Sequence, residues 1–280
     1  MNSIFRYKGF HFTGISEGGI CTSILLPELD VLFDAGTIFH DKIQVSNILI
    51  THGHLDHFSG IPHYISQRTL KKLKPPNIIL PETLVAPLEQ ILKIYSEVED
   101  FTYSYNLIPA REKEKIDLNK THFILPQKTY HRIPSFGYTI YEISKKLKDE
   151  YHDLNSKELV GLKEKGFELS IEKNTPVISY SGDSRIEYVL NNADVRNSKV
   201  LFLECTYIDD KRDTNRAREW GHIHLDEIIQ YAKEFQNEKI VLFHFSKRYS
   251  HKYIFSTVKN KIPDILKDRV HVFLPSRRVE

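Results

Sequence analysis

His52, His54, Asp56 and His57 stand in the order His-x-His-x-Asp-His within THGHLDHFSG, directly after the apolar run Asn47 to Ile50. Imidazole nitrogens and a carboxylate, with no thiolate among them, suit zinc or a related divalent ion in an open, catalytic site; a closed structural site would rather use cysteine. A loop that leaves a buried strand can turn several side chains toward one point while the strand holds their bases rigid. Any one of these histidines alone would be an ordinary polar loop residue, but the four donors together read as part of a metal site.

The rest of the chain must supply strands that end in such loops, and it does. CTSILLPELD, VLFDAG and SNILITHGH are short runs rich in Ile, Leu and Val that end in Asp, Gly or Pro, as buried strands bounded by turns do. NIILPETLVAPLEQILKIYSEV begins as a strand and after Pro81 becomes a helix with Leu84, Leu88, Ile91, Leu92 and Tyr95 at helical spacing. Strand pattern returns near residue 121 in HFILPQKTYHRIPSFGYTIYEI, broken by Pro126 and by Pro134 with Gly137. TPVISYSGDS, SKVLFLECTY, EKIVLFHFS and HVFLPS read as strands, and HLDEIIQYAKEFQ as a helix with Ile228, Ile229 and Phe235 inward. The second half thus repeats the strand-then-helix grammar of the first without a residue-level repeat. That predicts an α/β fold in which two sheets face each other with helices packed outside. Residues 145–173, rich in Lys and Glu, read as an exposed insertion whose charge is a solvated face.

The 280 residues, 40% of them hydrophobic and 27% charged, suffice to bury a substantial core, and a single domain over 1–280 is expected. A net charge of +2 is too small to demand nucleic acid as a partner. MNSIFRYKGFHFTG has no apolar signal region, and no apolar run approaches the roughly 18 residues of a membrane span, so a cytoplasmic protein with no membrane segment is expected. Cys21 and Cys205 sit in strand-like stretches outside any CxxC spacing and read as structural thiols. His11, His40, His63, His122, His152, His251 and His271 have no partners at ligand spacing.

His-x-His-x-Asp-His resembles the signature of the metallo-β-lactamase superfamily. The resemblance implies an αββα sandwich of two mixed β-sheets with helices on the outer faces. It also implies two metal ions, the first two histidines serving one and the Asp-His pair the other, with Asp34 of VLFDAG orienting the loop from behind. A later His, a later Asp and a final His should follow at strand ends. His131 in KTYHRIPSFGY, Asp183 in SYSGDSR and His244 in VLFHFSKRY stand in that order. Asp183 would bridge both ions and each histidine complete one.

HRIPSFGY, YSGDSR, HFSKRY and GHLDHFSGIPHYI are similar to blocks of the ribonuclease Z family, whose members remove 3′ trailers from precursor tRNA. LECTY resembles its His-Glu-Ala-Thr segment and EWGHIHLDEI its His-Ser-Thr loop, so the resemblance runs from about Gly14 to Tyr249, as in the short form. Gly-His-x-His in the loop and KLKPP at 72–76 resemble the short plant type. The departures are Leu203 for the His of one segment, Ile223 and His224 for the Ser and Thr of the other, and the Lys-rich stretch 145–173 in place of a Gly/Pro-rich tRNA-gripping arm.

What this resemblance implies is a zinc-dependent endoribonuclease. Two zinc ions per subunit, or Mn2+ or another divalent ion, would make hydroxide available near neutral pH, and Asp56 would orient or deprotonate it. Attack on phosphorus would leave a 3′-hydroxyl on the tRNA. His222, positioned by Glu204, is the candidate proton donor to the departing oxygen. Read from the residues alone, the alternatives are that Glu204 is a solvated strand end and that His222, or His224, caps the following helix. Lys247 and Arg248 are candidate phosphate contacts, and Lys145, Lys146, Lys148, Lys163 and Lys165 an electrostatic handle for precursor tRNA. A homodimer is carried over as an expectation. Two other readings stay open: a hydrolase of other phosphodiesters or small esters, and a non-catalytic RNA-processing binding subunit. The second would be free to lose ligands, and all of them are present.

Overall fold

The computed structural model describes residues 2–38 and 42–275, so His40 lies outside the described residues. The first sheet comprises β1 (Ser3–Tyr7), β2 (Phe10–Glu17), β3 (Cys21–Leu26), β4 (Val31–Phe33), β5 (Asn47–Leu49), β6 (Asn77–Pro81) and β7 (Asn106–Ala110), side by side in chain order. The second comprises β8 (Ile116–Asn119), β9 (His122–Lys128), β10 (Phe136–Leu147), β11 (Ser170–Tyr180), β12 (Val200–Glu204), β13 (Lys239–Phe243) and β14 (Val270–Val272), again in order. In each sheet the first four strands pair antiparallel and the next three are added in parallel. The strand-then-helix grammar of the two halves is therefore one topology used twice.

Alternation of side chains distributes the core into three layers. Val200 and Phe202 of β12 and Val241 and Phe243 of β13 face the first sheet, where they meet Phe5, Phe12, Phe33 and Leu49. Leu201, Leu203, Ile240 and Leu242 face outward onto Leu225, Ile228, Ile254, Val258 and Leu266 of the covering helices. The same split sends Leu49 and Ile79 of the first sheet inward, and Ile48, Ile78 and Leu80 outward against Tyr64, Ile65, Leu88 and Leu92. Strands covered on both faces read as continuous apolar runs, which is why VLFLE and KIVLF were visible in the sequence. Helices, sheet, sheet and helices thus form the expected αββα sandwich.

Some local readings change. The strand is not broken at Pro126: β9 runs through it, opposite Tyr138, and its carbonyl accepts from Lys113 N–H at 2.9 Å. The helix after His224 ends at Gln230, and a 3-10 turn at Ala232–Glu234 carries Phe235 back into the core. Tyr95 is 47% exposed because the helix Val85–Val98 buries only a narrow stripe through Leu88 and Leu92. Strands β1, β2, β7 and β8 escaped the sequence reading, being partly exposed or short. Residues 145–173 are an extension of the β10–β11 hairpin, paired out to Leu147 and Ser170. It carries the helix Ser156–Glu164, whose start is closed by a capping box of Asn155 and Glu158 and which buries no side chain. Among the described residues no helix is long and apolar enough to cross a membrane.

Phe202 touches the rings of Phe5, Phe12, Tyr180, Phe243 and Phe273 at the centre of the inner layer. Phe202→Ala should lower stability by about 3–5 kcal/mol, and Phe202→Leu by much less, because truncation leaves a cavity that two stiff sheets cannot close. Urea unfolding measures both; equal midpoints for Phe202→Ala and the parent would refute this placement of the core.

Candidate metal centre

Every predicted donor lies just beyond the end of a strand. Asp34 follows β4, His52 to His57 follow β5, His131 lies between β9 and β10, Asp183 follows β11, and His244 follows β13. Loops at the carboxyl ends of parallel strands converge on one crevice. Two glycines let them close up: a Cβ on Gly36 would lie 1.8 Å from the carbonyl oxygen of Asp56, and on Gly182, at φ +55, 2.7 Å from Thr51. Asp34 (φ 55) and His244 (φ 63) also adopt left-handed backbone, which turns each residue out of its strand direction at the crevice.

The donors fall into two groups that share an aspartate. His52, His54, His131 and Asp183 offer ligand atoms within 4.8 Å of one another, as do Asp56, His57 and His244. His52 Nε2 is 3.0 Å from His54 Nδ1, which is 3.3 Å from His131 Nε2. His57 Nε2 is 3.2 Å from His244 Nε2. Asp183 spans the groups: Oδ1 is 3.3 Å from His57 Nε2 and 3.4 Å from His244 Nε2, while Oδ2 is 3.7 Å from His52 Nε2 and 3.9 Å from His131 Nε2. The other described histidines noted above, His11, His63, His122, His152, His251 and His271, join neither group.

What lies behind each ring decides what it shows to the centre. His57 Nδ1 donates to Asp34 Oδ2 at 2.8 Å, and His131 Nδ1 to the Gly221 carbonyl at 2.9 Å. Thr51 Oγ1 donates to Asp34, so it accepts from His52 Nδ1 at 2.9 Å. Thr206 Oγ1 donates to Glu204 Oε2 at 2.7 Å, so it accepts from His244 Nδ1 at 3.0 Å. Four histidines thereby give Nδ1 to an acceptor behind them and turn Nε2 inward, the nitrogen a metal ligand offers once it carries no proton. Tyr180 and the Thr51 amide also donate to Asp34, at 3.0 and 2.8 Å. Thr51, Tyr180, Thr206 and the Gly221 carbonyl were not picked out by sequence reasoning, although they lie within THGHLDHFSG, YSGDSR, LECTY and EWGHIHLDEI.

The electrostatics suit cations. Burial pushes His52, His54 and His131 below the ordinary histidine range, so they favour neutral imidazole. Burial works against a charge on His57, but Asp183, Asp34 and Asp56 outweigh it and lift it to about 9. Burial also opposes the charge on Asp183 and on Asp56. Surrounding histidines, His244 and His57 foremost, nonetheless hold Asp183 well below the usual carboxylate range, and the nearby His244 and His57 hold Asp56 at about 2. Asp183 Oδ1, fully buried, has no hydrogen-bond partner. Lone pairs facing each other at 3.0 Å, carboxylates in excess and an orphaned carboxylate oxygen all fit divalent cations.

His222 lies beside this cluster. Its Nδ1 is 2.8 Å from Glu204 Oε1, and Glu204 is itself fully buried, accepting from the Ser184 and Thr206 amides. Burial would lower His222, but Glu204 and then Asp183 raise it to about 9. Glu204 is therefore no solvated strand end. His224, not His222, caps the following helix, accepting from Asp226 N–H at 3.1 Å. Lys247 and Arg248, both exposed, line a cleft of about 250 Å3 with Gly19, Tyr207, His222 and His244. Lys145 and Lys146 lie about 23–26 Å along β10 from Tyr138, where it nears the cluster, so the Lys-rich hairpin stands well away from the centre.

Asp34 touches no cleft yet fixes two inward-facing rings, so Asp34→Asn should leave every donor in the chain and still weaken zinc binding about 10–100-fold. Competition against a chromogenic chelator reads the affinity. An unchanged affinity in a variant that retains its circular dichroism would show that the ring orientation does not depend on this carboxylate.

A family model for the Beta-lactamase superfamily domain matches residues 31–245. The chain is 36% identical over 267 residues to tRNase Z TRZ1 of Arabidopsis thaliana, covering 95% of each chain. It is also 36% identical over 244 residues to the chloroplastic tRNase Z TRZ2 of the same plant, covering 86% of this chain and 69% of that one. Among solved structures, the metallo-β-lactamase fold protein YhfI of Bacillus subtilis superposes with a TM-score of 0.63 at 15% identity, covering 92% of this chain and 93% of its own. The short form of human tRNase Z gives 0.60 at 18% identity, covering 92% and 95%. The structural matches carry the fold and the sequence matches the lineage: this chain belongs to the tRNase Z (ribonuclease Z) family of the metallo-β-lactamase superfamily.

Proposed function

We propose that this protein is a zinc-dependent endoribonuclease that cuts the 3′ trailer from precursor tRNA and leaves a 3′-hydroxyl. The observation that carries the reading is the convergence of inward-facing histidine lone pairs on Asp183, with the Glu204–His222 pair beside them. The 36% identity to plant tRNase Z across 95% of both chains supports the choice of substrate. His52, His54 and His131 would hold one divalent ion and Asp56, His57 and His244 a second, with Asp183 shared. Zinc fits the imidazole-rich set best, and Mn2+ is a permitted substitute. Such ions supply Lewis acidity, acidifying water toward neutral pH and offsetting charge that builds on the phosphate.

The chain's own groups do the rest. Asp56 Oδ2 accepts from the Gly19 amide at 2.9 Å and lies 3.5 Å from His244 Nε2, so this carboxylate is held beside the cluster, where it can orient, or take a proton from, an attacking water. Glu204 holds His222 by Nδ1, so a protonated His222 has its Nε2–H to give to the departing 3′-oxygen of the tRNA. Lys247 and Arg248 offer charge to phosphates entering the cleft. The Lys-rich hairpin, far from the centre, suits the body of a folded RNA better than the scissile bond. The family likeness supports a homodimer, and the absence of a membrane-length helix among the described residues is compatible with a cytoplasmic site of action.

Incubation of zinc-loaded protein with a 3′-extended precursor tRNA should give one cut after the discriminator base. Activity confined to a small chromogenic diester would indicate a different phosphodiesterase, and no cleavage of either substrate would indicate a binding subunit. Asp56→Ala should abolish cleavage. His222→Ala should slow precursor cleavage about 10²–10⁴-fold, yet scarcely affect bis(p-nitrophenyl) phosphate, whose leaving group needs no proton. Equal loss on both substrates would remove His222 from the role of proton donor.

A further inference from the structure

Trp220 is the single tryptophan of the chain, and it is 40% exposed. It ends the helix Thr214–Trp220, and the next residue, Gly221 at φ +76, gives its carbonyl to His131 Nδ1 at 2.9 Å. A Cβ on Gly221 would lie 2.9 Å from that same nitrogen, so the turn carrying Trp220 is pressed directly against the metal cluster. Two guanidinium groups lie near the indole: Arg132, beside His131, is 4.7 Å from the ring centroid, and Arg216 is 5.1 Å away. They differ in charge balance. Arg216 is hydrogen-bonded to Glu219, whereas Arg132 is exposed and has no carboxylate partner among the described residues. A core tryptophan would be covered, and a structural arginine would be paired. A partly exposed indole with an uncompensated guanidinium over its ring, beside the turn that holds His131, matches how proteins hold single-stranded nucleic acid.

We propose that Arg132 and Trp220 form a subsite for an unpaired nucleotide of the RNA strand next to the scissile phosphate. Arg132 moves off the indole to take the neighbouring phosphate, and the base stacks on the face it leaves. The subsite rests on the endoribonuclease reading above. It lies on the His131 side of His222, while Lys247 and Arg248 lie on the His244 side, so the strand is gripped on both flanks of the bond that breaks. Stacking tolerates any base, so the subsite adds affinity and register with little sequence preference.

A lone tryptophan makes its own reporter. Rapid mixing of zinc-loaded protein with 3′-extended precursor tRNA should quench tryptophan fluorescence before any product appears. Arg132→Gln and Trp220→Ala should each raise KM for the precursor about fivefold or more, with kcat/KM for bis(p-nitrophenyl) phosphate within about twofold of the parent. Arg132→Gln should also lower the slope of log Kd against log salt by about one. Trp220→Phe, which keeps a stacking face, should recover most of the loss. Precursor that is cut normally without any quench would overturn the subsite and leave the proposed activity standing. Quench without cleavage would do the reverse. Equal loss of diester hydrolysis in both variants would also overturn it, since the stack would then serve only to brace His131.

Discussion

A histidine can turn a lone pair inward only while its other ring nitrogen gives up a proton outward, and the centre of this protein is built around that requirement. Asp34, Thr51, Thr206 and the Gly221 carbonyl each stand behind one ring and fix its tautomer. Remove these acceptors and the same donors would pair with one another or with solvent. The two stiff sheets matter because they hold the acceptors, not only the ligands. Asp34 directly follows β4 in one sheet, and Tyr180, which donates to it at 3.0 Å, ends β11 in the other. The inner aromatic layer therefore clamps the second line of the centre as well as the fold. The left-handed turns at Asp34 and His244 sit where that clamp meets the crevice, and local strain there is held by the packing around it.

The same logic separates the roles of the two carboxylate–histidine pairs. Asp34 holds His57 with its Nε2 turned in among His244 and Asp183, whereas Glu204 holds His222 by Nδ1 with its other nitrogen free toward the cleft. Both are a buried carboxylate on an imidazole Nδ1 and both rings are raised to about 9, so their surroundings separate the proposed roles: His57 lies among donors that suit a cation, which would displace its proton, and His222 lies beside them. Their separation follows from chain order: His57 is reached from β5 in the first sheet and His222 from the loop after β12 in the second.

Much of this was legible in the sequence, for identifiable reasons. The His52 to His57 motif could be read because its donors are close along the chain and follow an apolar strand. His131, Asp183 and His244 became readable as strand-end residues in the right order, and the structure brings all seven into two adjoining groups. The acceptors behind the rings were less visible, because a backbone carbonyl such as that of Gly221 has no sequence signature and a threonine hydroxyl has many uses. Which of His222 and His224 caps a helix depended on where the chain turns, and that is set by the Gly221 left-handed residue. Strand β9 ran through Pro126 because what proline removes is a donor, while its carbonyl still pairs. The Lys-rich stretch looked like a separate insertion because its pairing partners lie across the β10–β11 hairpin, a relation composition does not report.

The converging lone pairs are proposed to hold two divalent ions that share Asp183, and equilibrium dialysis of metal-free protein against zinc, with the bound metal counted by elemental analysis, decides it. Two ions per chain are expected at saturation, with His131→Ala and His244→Ala each weakening a different one. A stoichiometry of one or none in folded protein, or two ions that survive both substitutions undiminished, would contradict it.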